Sequence, residues 1–126
     1  MKNGLKCILI FLFFILASCS DDREITRLLN SNIPNEIIEG AYKAGNSGEK
    51  KYVPLLLHDA ANGSEGTSLH FARFTVYTEK MFALERILHV KPPHPFGGIK
   101  TQPDSVNIRF YVALWQQIHD KENKSY

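Results

Sequence analysis

The apolar residues of this chain recur mostly three and four positions apart, which places them on one face of an α-helix. The first such run, residues 24–30, predicts one or two helical turns. Residues 34–44 predict a second helix, because the leading proline suits a first turn and the Gly-Asn-Ser-Gly run 45–48 ends the pattern. Residues 52–61 predict a third helix, whose proline is acceptable only in the first turn.

The longest predicted helix covers residues 67–89, where apolar positions alternate in steps of three and four. These positions form a seam of Phe74, Tyr77, Met81, Leu84 and Leu88. The opening of this element, residues 69–78, is rich in aromatic and β-branched side chains, so a strand start stays open there. The proline-rich run 91–98 cannot be helical and predicts a stiff loop.

The last element fits two patterns. Residues 106–114 alternate between apolar and polar side chains as in a strand, yet they also fit a helical spacing that continues through Ile118. Asp104 or Ser105 would cap a helix here. Length and the cap favour the helix, so the chain is predicted to be all-α, with about four to five helices.

A different kind of segment precedes these elements. Lys2 and Lys6 give a positive start, and residues 7–17 follow without a charge. This apolar stretch is shorter than the ~20 residues that a membrane span needs. It matches the core of a secretory signal peptide, so residues 1–18 are predicted to be a removable leader.

The leader ends in Leu16-Ala17-Ser18-Cys19, which resembles the lipobox of bacterial lipoproteins. The resemblance implies cleavage between Ser18 and Cys19 and attachment of diacylglycerol to the Cys19 thiol, with a further acyl chain such as palmitate. Two or more acyl chains give stable membrane anchoring. An ordinary secreted protein cut near Ser18 is the alternative. The predicted division is leader 1–18, acidic linker 19–23, helical domain 24–120 and polar tail 121–126.

The residues after Cys19 bear on location. Ser20, rather than aspartate, occupies the second mature position, which favours the outer membrane over retention in the inner one. Cys-Ser-Asp-Asp also resembles the acidic surface-export tag of lipoproteins in the Bacteroides and Flavobacterium group. A solvated linker is an equal alternative, so the side of the membrane on which the domain lies stays open.

Residues 35–88 resemble a HEAT-type helical repeat. The resemblance is carried by the loop Ala44-Gly45-Asn46-Ser47-Gly48 and by the helix opening Val53-Pro54-Leu55-Leu56, followed by a long helix. It implies a short αα-superhelix of HEAT or armadillo type, whose exposed faces bind other proteins. It brings no catalytic residues.

Composition and charge exclude several function classes. The chain has 126 residues, 44% hydrophobic and 22% charged, which suits one small globular domain. Without Lys2 and Lys6, Lys+Arg falls from 15 to 13 and equals the 13 Asp+Glu. A neutral domain has no basic stripe for nucleic acid. Both cysteines, Cys7 and Cys19, lie at or before the proposed lipid site, which leaves no thiol for a disulfide or metal.

No catalytic motif is recognisable, and neither a cofactor nor a metal is expected. His89 and His94 are separated by prolines that prevent a shared metal site. His58-Asp59 are helix neighbours that would not face each other.

The charged residues Glu79, Glu85, Arg73 and Arg86 are predicted to form a solvated helix face, with a catalytic pair of the two carboxylates as the alternative. Trp115 is predicted to belong to the core. Asp104-Ser105-Val106 also resembles a bacterial O-glycosylation pattern, although helix capping already explains it.

Phe96 stands between Pro95 and two glycines. It either presents an aromatic ring to a partner or fills the core, and both interpretations stay open.

The preferred functional hypothesis is a non-enzymatic interaction module of the envelope with a protein partner and no small-molecule ligand. The alternatives are an immunity-type lipoprotein that neutralises a toxin by direct binding, and an enzyme with an unrecognised site.

Overall fold

The computed structural model describes residues 2–97 and 101–125, apart from the side chains of residues 2, 3, 5 and 11–19. This part of the chain is mostly helical and contains isolated β-bridges but no strand, so the all-α prediction is confirmed. Its elements are α1 (Lys2–Leu29), α2 (Pro34–Ser47), a 3-10 turn (Lys50–Tyr52), α3 (Val53–Leu57), α4 (Val76–Leu88) and α5 (Ser105–Lys124).

Helix α2 is the centre of the fold, because it contacts both α1 and α4. Two glycines allow the close approach. A Cβ added at Gly40 would lie 2.8 Å from the Leu28 Cβ, and one added at Gly45 would lie 3.0 Å from the Ala83 Cα. The core fills the space between the helices with fully buried apolar side chains, among them Ile38, Ala41, Leu56, Tyr77, Met81 and Leu84.

Helix α5 is held by buried polar contacts as well as by apolar ones. The Asn107 Nδ2 donates to the Tyr77 hydroxyl (3.1 Å) and to the His94 carbonyl (3.0 Å), while its Oδ1 accepts from the His94 backbone N–H (2.9 Å). The Tyr111 hydroxyl donates to the Val90 carbonyl (2.8 Å). Since every polar atom of Asn107 is paired, its burial carries no desolvation penalty from an unmet hydrogen bond.

The helical interpretation of the last element is confirmed. Asp104 is the cap, because its Oδ1 accepts from the Val106 backbone N–H at 2.8 Å. Helix α5 then runs to Lys124, so most of the predicted polar tail 121–126 is helical rather than irregular.

Two predicted helices are shorter than expected. The third helix was predicted over residues 52–61, but α3 ends at Leu57, and His58 has extended backbone angles. The long helix was predicted from Thr67, but α4 begins only at Val76. There the Thr75 hydroxyl accepts from the Thr78 backbone N–H at 3.1 Å and caps the helix.

The residues before α4 form a loop instead of helical turns. The Gly66 N–H donates to the Phe74 carbonyl (2.8 Å), and the Val76 N–H donates to the Ser64 carbonyl (2.9 Å). These bonds fold residues 64–75 back on themselves; this segment is called the 64–75 loop below. Its aromatic and β-branched composition had left a non-helical start open, and no strand longer than isolated bridges results.

Helices α1 and α2 are longer than the pattern predicted. Helix α1 runs without a break through residues 19–23, so the predicted linker is helical. Helix α2 continues past Gly45 to Ser47 and ends at Gly48, whose positive φ of 68° suits glycine. In the part of the chain that is described, no helix combines the length and apolarity needed to cross a membrane.

Candidate functional site

The side chains of the proposed lipid site, Ser18 and Cys19, lie outside the described part of the structure. Soon afterwards the chain makes tertiary contacts. The Tyr52 hydroxyl donates to the Asp22 Oδ1 at 2.7 Å, and the Lys51 Nζ lies 3.2 Å from the same oxygen. These two contacts, the Tyr52 hydrogen bond first, lower the pKa of Asp22. The residues just behind Cys19 are therefore attached to the domain.

Phe96 lies in the core, with 7% of its surface exposed, so the core-filling interpretation is the one that the structure shows. Its ring packs edge-on against Phe82, with 4.7 Å between the ring centroids. Phe96 therefore does not present a ring to solvent here. Phe96 affects the surface indirectly, because its ring packs against the ring of Phe82.

A large apolar concavity is lined in part by Phe82. It has a volume of about 660 Å³ and is called the aromatic groove here. Its lining combines four aromatic rings with three charged or titratable side chains: Tyr42, Phe71, Phe74, Phe82, His70, Glu79 and Arg86. Helix α2 supplies the tyrosine, α4 supplies Glu79, Phe82 and Arg86, and the 64–75 loop supplies the rest.

Glu79 is the one lining carboxylate, and only 6% of its surface is exposed. No described side chain or backbone group donates a hydrogen bond to it or pairs with it within 4 Å. Described side-chain oxygens that are wholly enclosed all have a partner. The unpartnered Glu79 oxygens therefore keep some accessible surface, and Glu79 lines the groove. Burial raises the pKa of Glu79, and the nearby Arg86 offsets part of that rise.

The Arg86 side chain contacts Tyr42 and Asn46 at the edge of the groove and does not pair with Glu79. Its guanidinium carbon lies 5.7 Å from the centre of the Tyr42 ring, and its Nη1 donates to the Asn46 Oδ1 at 3.3 Å. These contacts draw the guanidinium toward α2. Arg86 therefore favours the charged form of Glu79 from a distance, without forming an ion pair with it.

The 64–75 loop positions two of the rings. Gly66 is needed for its shape, because an added Cβ would lie 2.5 Å from the Phe71 carbonyl oxygen. The next bend uses Arg73, which adopts a φ of 78° that L-residues rarely take. Leu69, between these points, is 99% exposed, and Phe74, directly after Arg73, is 40% exposed. The loop thus displays apolar side chains next to the groove.

The other residues that the sequence analysis considered do not converge on one site. The His94 Nδ1 lies 2.6 Å from the Asp104 Oδ2, a contact that lowers the pKa of Asp104. His58 contributes its carbonyl, which accepts from the buried Lys80 Nζ at 2.6 Å. Trp115 is half-buried against the core, as predicted. Among the described residues, no group of three or more His, Cys, Asp or Glu side chains could hold a metal ion.

The sequence analysis missed the groove, because it assigned Glu79 to a solvated helix face and Phe74 to the buried seam. Both assignments were wrong. Tyr42, which helical spacing placed on the second helix, is 45% exposed and lines the groove. Helical spacing gave no signal for Glu79, because a residue two positions from both Tyr77 and Met81 lies on the opposite side of the helix from that seam.

Comparison with known proteins adds no relative: no family model, no curated protein and no solved structure matches this chain.

Proposed function

We propose that this chain is a lipoprotein of the bacterial envelope, held in the outer membrane by lipid on Cys19. Its helical domain binds a partner protein and catalyses no reaction. The leader and the lipobox-like Leu16-Ala17-Ser18-Cys19 support the anchor. The neutral charge of the remainder and its lack of catalytic motifs support a binding role.

The aromatic groove is the observation that carries the binding role. Small monomeric proteins rarely leave contiguous apolar surface exposed unless it contacts something. Here the exposed side chains Tyr42 and Phe74 line one concavity, and the exposed Leu69 lies on the same loop as Phe74. Aromatic side chains are also enriched at the energetic centres of protein interfaces. The partner is therefore proposed to dock at this groove.

A finer architecture is also part of the proposal. The close packing of α2 against α4 at Gly45 and Ala83 is the kind of helix pairing that HEAT-type units use. The Val53-Pro54-Leu55-Leu56 step does open a helix, α3, although a short one. We propose that α2 and α4 form one αα unit and that the groove lies on its open side.

Affinity capture from envelope extracts tests the binding role. The full chain should retain a partner in stoichiometric amount, and Phe74→Ser should reduce its recovery about tenfold, because interface aromatics contribute ~1–2 kcal/mol or more. Val112→Ser is the matched control, since Val112 is similarly exposed but lies on α5 away from the groove. Equal recovery with both variants, or no partner with the parent chain, contradicts the proposal.

A further inference from the structure

We infer that the aromatic groove receives a basic side chain, arginine or lysine, of the partner protein, with the Glu79 carboxylate as its counter-charge. This inference rests on the proposed binding function and specifies the chemistry of the same site.

The first step is the carboxylate itself. Glu79 is 6% exposed, it lines the groove, and no described group donates a hydrogen bond to its oxygens. Buried carboxylates are normally paired with a cation or with several donors. In the free protein only water can fill that role, and a ligand in the groove would replace it. A guanidinium or an ammonium group supplies both donors and the opposite charge.

The second step is that this chain does not supply the cation. Arg86 is the only arginine or lysine among the lining residues, and its guanidinium is engaged with Tyr42 and Asn46. His70 also lines the groove, but its side chain is exposed at the rim and makes no ion pair with Glu79. The carboxylate therefore stays uncompensated at close range until a ligand enters.

The third step is the wall around the carboxylate. Tyr42, Phe71, Phe74 and Phe82 surround the space with aromatic rings. The negative face of such rings attracts cations, by ~0.5–2 kcal/mol per ring according to desolvation. Guanidinium groups also stack on aromatic planes, and their apolar stems pack against them. A volume of about 660 Å³ accommodates one long side chain with part of the neighbouring backbone.

The fourth step distinguishes a polypeptide from a free small cation. Apolar surface continues beyond the groove, because the fully exposed Leu69 lies on the same loop as Phe71 and Phe74. A small cation would leave that apolar surface in water. A polypeptide that inserts one basic side chain covers the loop at the same time. The surface thus fits a basic residue flanked by apolar ones.

Titration of the full chain in detergent micelles with Nα-acetyl-arginine amide and Nα-acetyl-lysine amide, followed by amide NMR shifts, tests this chemistry. Nα-acetyl-citrulline amide is the matched neutral ligand, since it keeps the shape of arginine and lacks the charge. We expect the cationic probes to shift the amides of the 64–75 loop and of α4, and citrulline to bind about tenfold more weakly.

Two variants locate the effect. Glu79→Gln preserves size and should weaken arginine-amide binding about tenfold. Glu85→Gln removes a carboxylate from the same helix outside the groove and should leave binding within about twofold. Amide spectra of both free variants that match the parent spectrum show that the fold is kept.

The outcomes separate this inference from the proposed function. Equal binding of the arginine and citrulline probes, equal loss in both variants, or no shift with any probe overturns the basic-side-chain inference. In each of these cases a partner captured through Phe74 would still support the binding function. Conversely, charge-dependent binding at Glu79 in a chain that captures no partner supports the site and overturns the proposed role.

Discussion

Carboxylates that leave water on folding normally gain compensating charges or hydrogen bonds, and Glu79 gains little of either. Two features make its burial tolerable. It lies in the first turn of α4, where the helix dipole favours a negative charge. Arg86 lies about two turns further along the same helix and favours the charged carboxylate from a distance. Neither is a direct partner. We therefore expect Glu79 to lower the stability of the free protein.

Glu79→Gln should accordingly stabilise the chain. The folded pKa of Glu79 lies above its ordinary value of 4.5, so the native state holds a proton that the unfolded state releases as pH rises from that value to the folded pKa. Parent stability falls through this interval and stays lower above it. At pH 7 the variant should unfold with a free energy about 1 kcal/mol higher in urea titrations.

The advantage of Glu79→Gln should shrink as the pH is lowered from the folded pKa toward 4.5 and disappear below it, because the parent carboxyl is then neutral in both states. Glu85→Gln serves as the control and should stay within about 0.5 kcal/mol of the parent at each pH. A Glu79→Gln variant that is less stable than the parent at pH 7 would show that the carboxylate is paired after all.

At the scale of elements, the 64–75 loop decides the shape of the groove. It replaces the first turns of the predicted long helix and brings Phe71 and Phe74 opposite residues of α4. Helical spacing in this stretch was real but was overridden, because the Thr75 cap and the backbone bonds to Ser64 and Gly66 stabilise a different path. The spacing of apolar residues along the sequence does not reveal those hydrogen bonds.

Gly66→Ala tests the dependence of the loop on one close approach. The new Cβ would lie 2.5 Å from the Phe71 carbonyl oxygen and 3.1 Å from the Ile38 Cδ1, so the loop or the core must shift. We expect a loss of about 1–3 kcal/mol in unfolding free energy, measured by thermal or urea denaturation.

Gly97→Ala is the matched glycine control for this experiment. Among the described residues its added Cβ would meet only the Phe82 Cζ, at an ordinary 3.8 Å, so the change should stay within about 0.5 kcal/mol. Equal stability of the two variants would mean that the loop does not rely on the close approach at Gly66.

At the scale of the whole molecule, the proposed anchor and the domain are close together. Asp22, three residues after Cys19, accepts a hydrogen bond from Tyr52, and Glu24 follows with an ion pair to Lys43 at 3.0 Å. Three residues span at most about 11 Å when extended. With lipid on Cys19, the domain would therefore lie beside the membrane surface rather than at the end of a long tether.

Replacing each cysteine in turn tests the anchor. Cys19→Ala should abolish incorporation of labelled palmitate in cells and leave uncleaved precursor or released protein, because no other mature residue carries a thiol. Cys7→Ala changes only the leader and should keep the label. Lipid labelling that survives in Cys19→Ala, or that disappears only in Cys7→Ala, would place the modification elsewhere and remove the basis for the envelope location.

The sequence by itself determined the helical class, the start of the last helix at Asp104 or Ser105 and the buried seam from Tyr77 to Leu88, because each follows from local spacing or from one side chain that meets its neighbours. Its expectation of an anchor at Cys19 rests on the leader and stays a prediction. Only the tertiary structure decided where α4 begins, that Phe96 supports Phe82, and that Glu79 faces an aromatic groove. These features arise where α2, α4 and the 64–75 loop meet, and helical periodicity does not encode which residues from separate segments will meet.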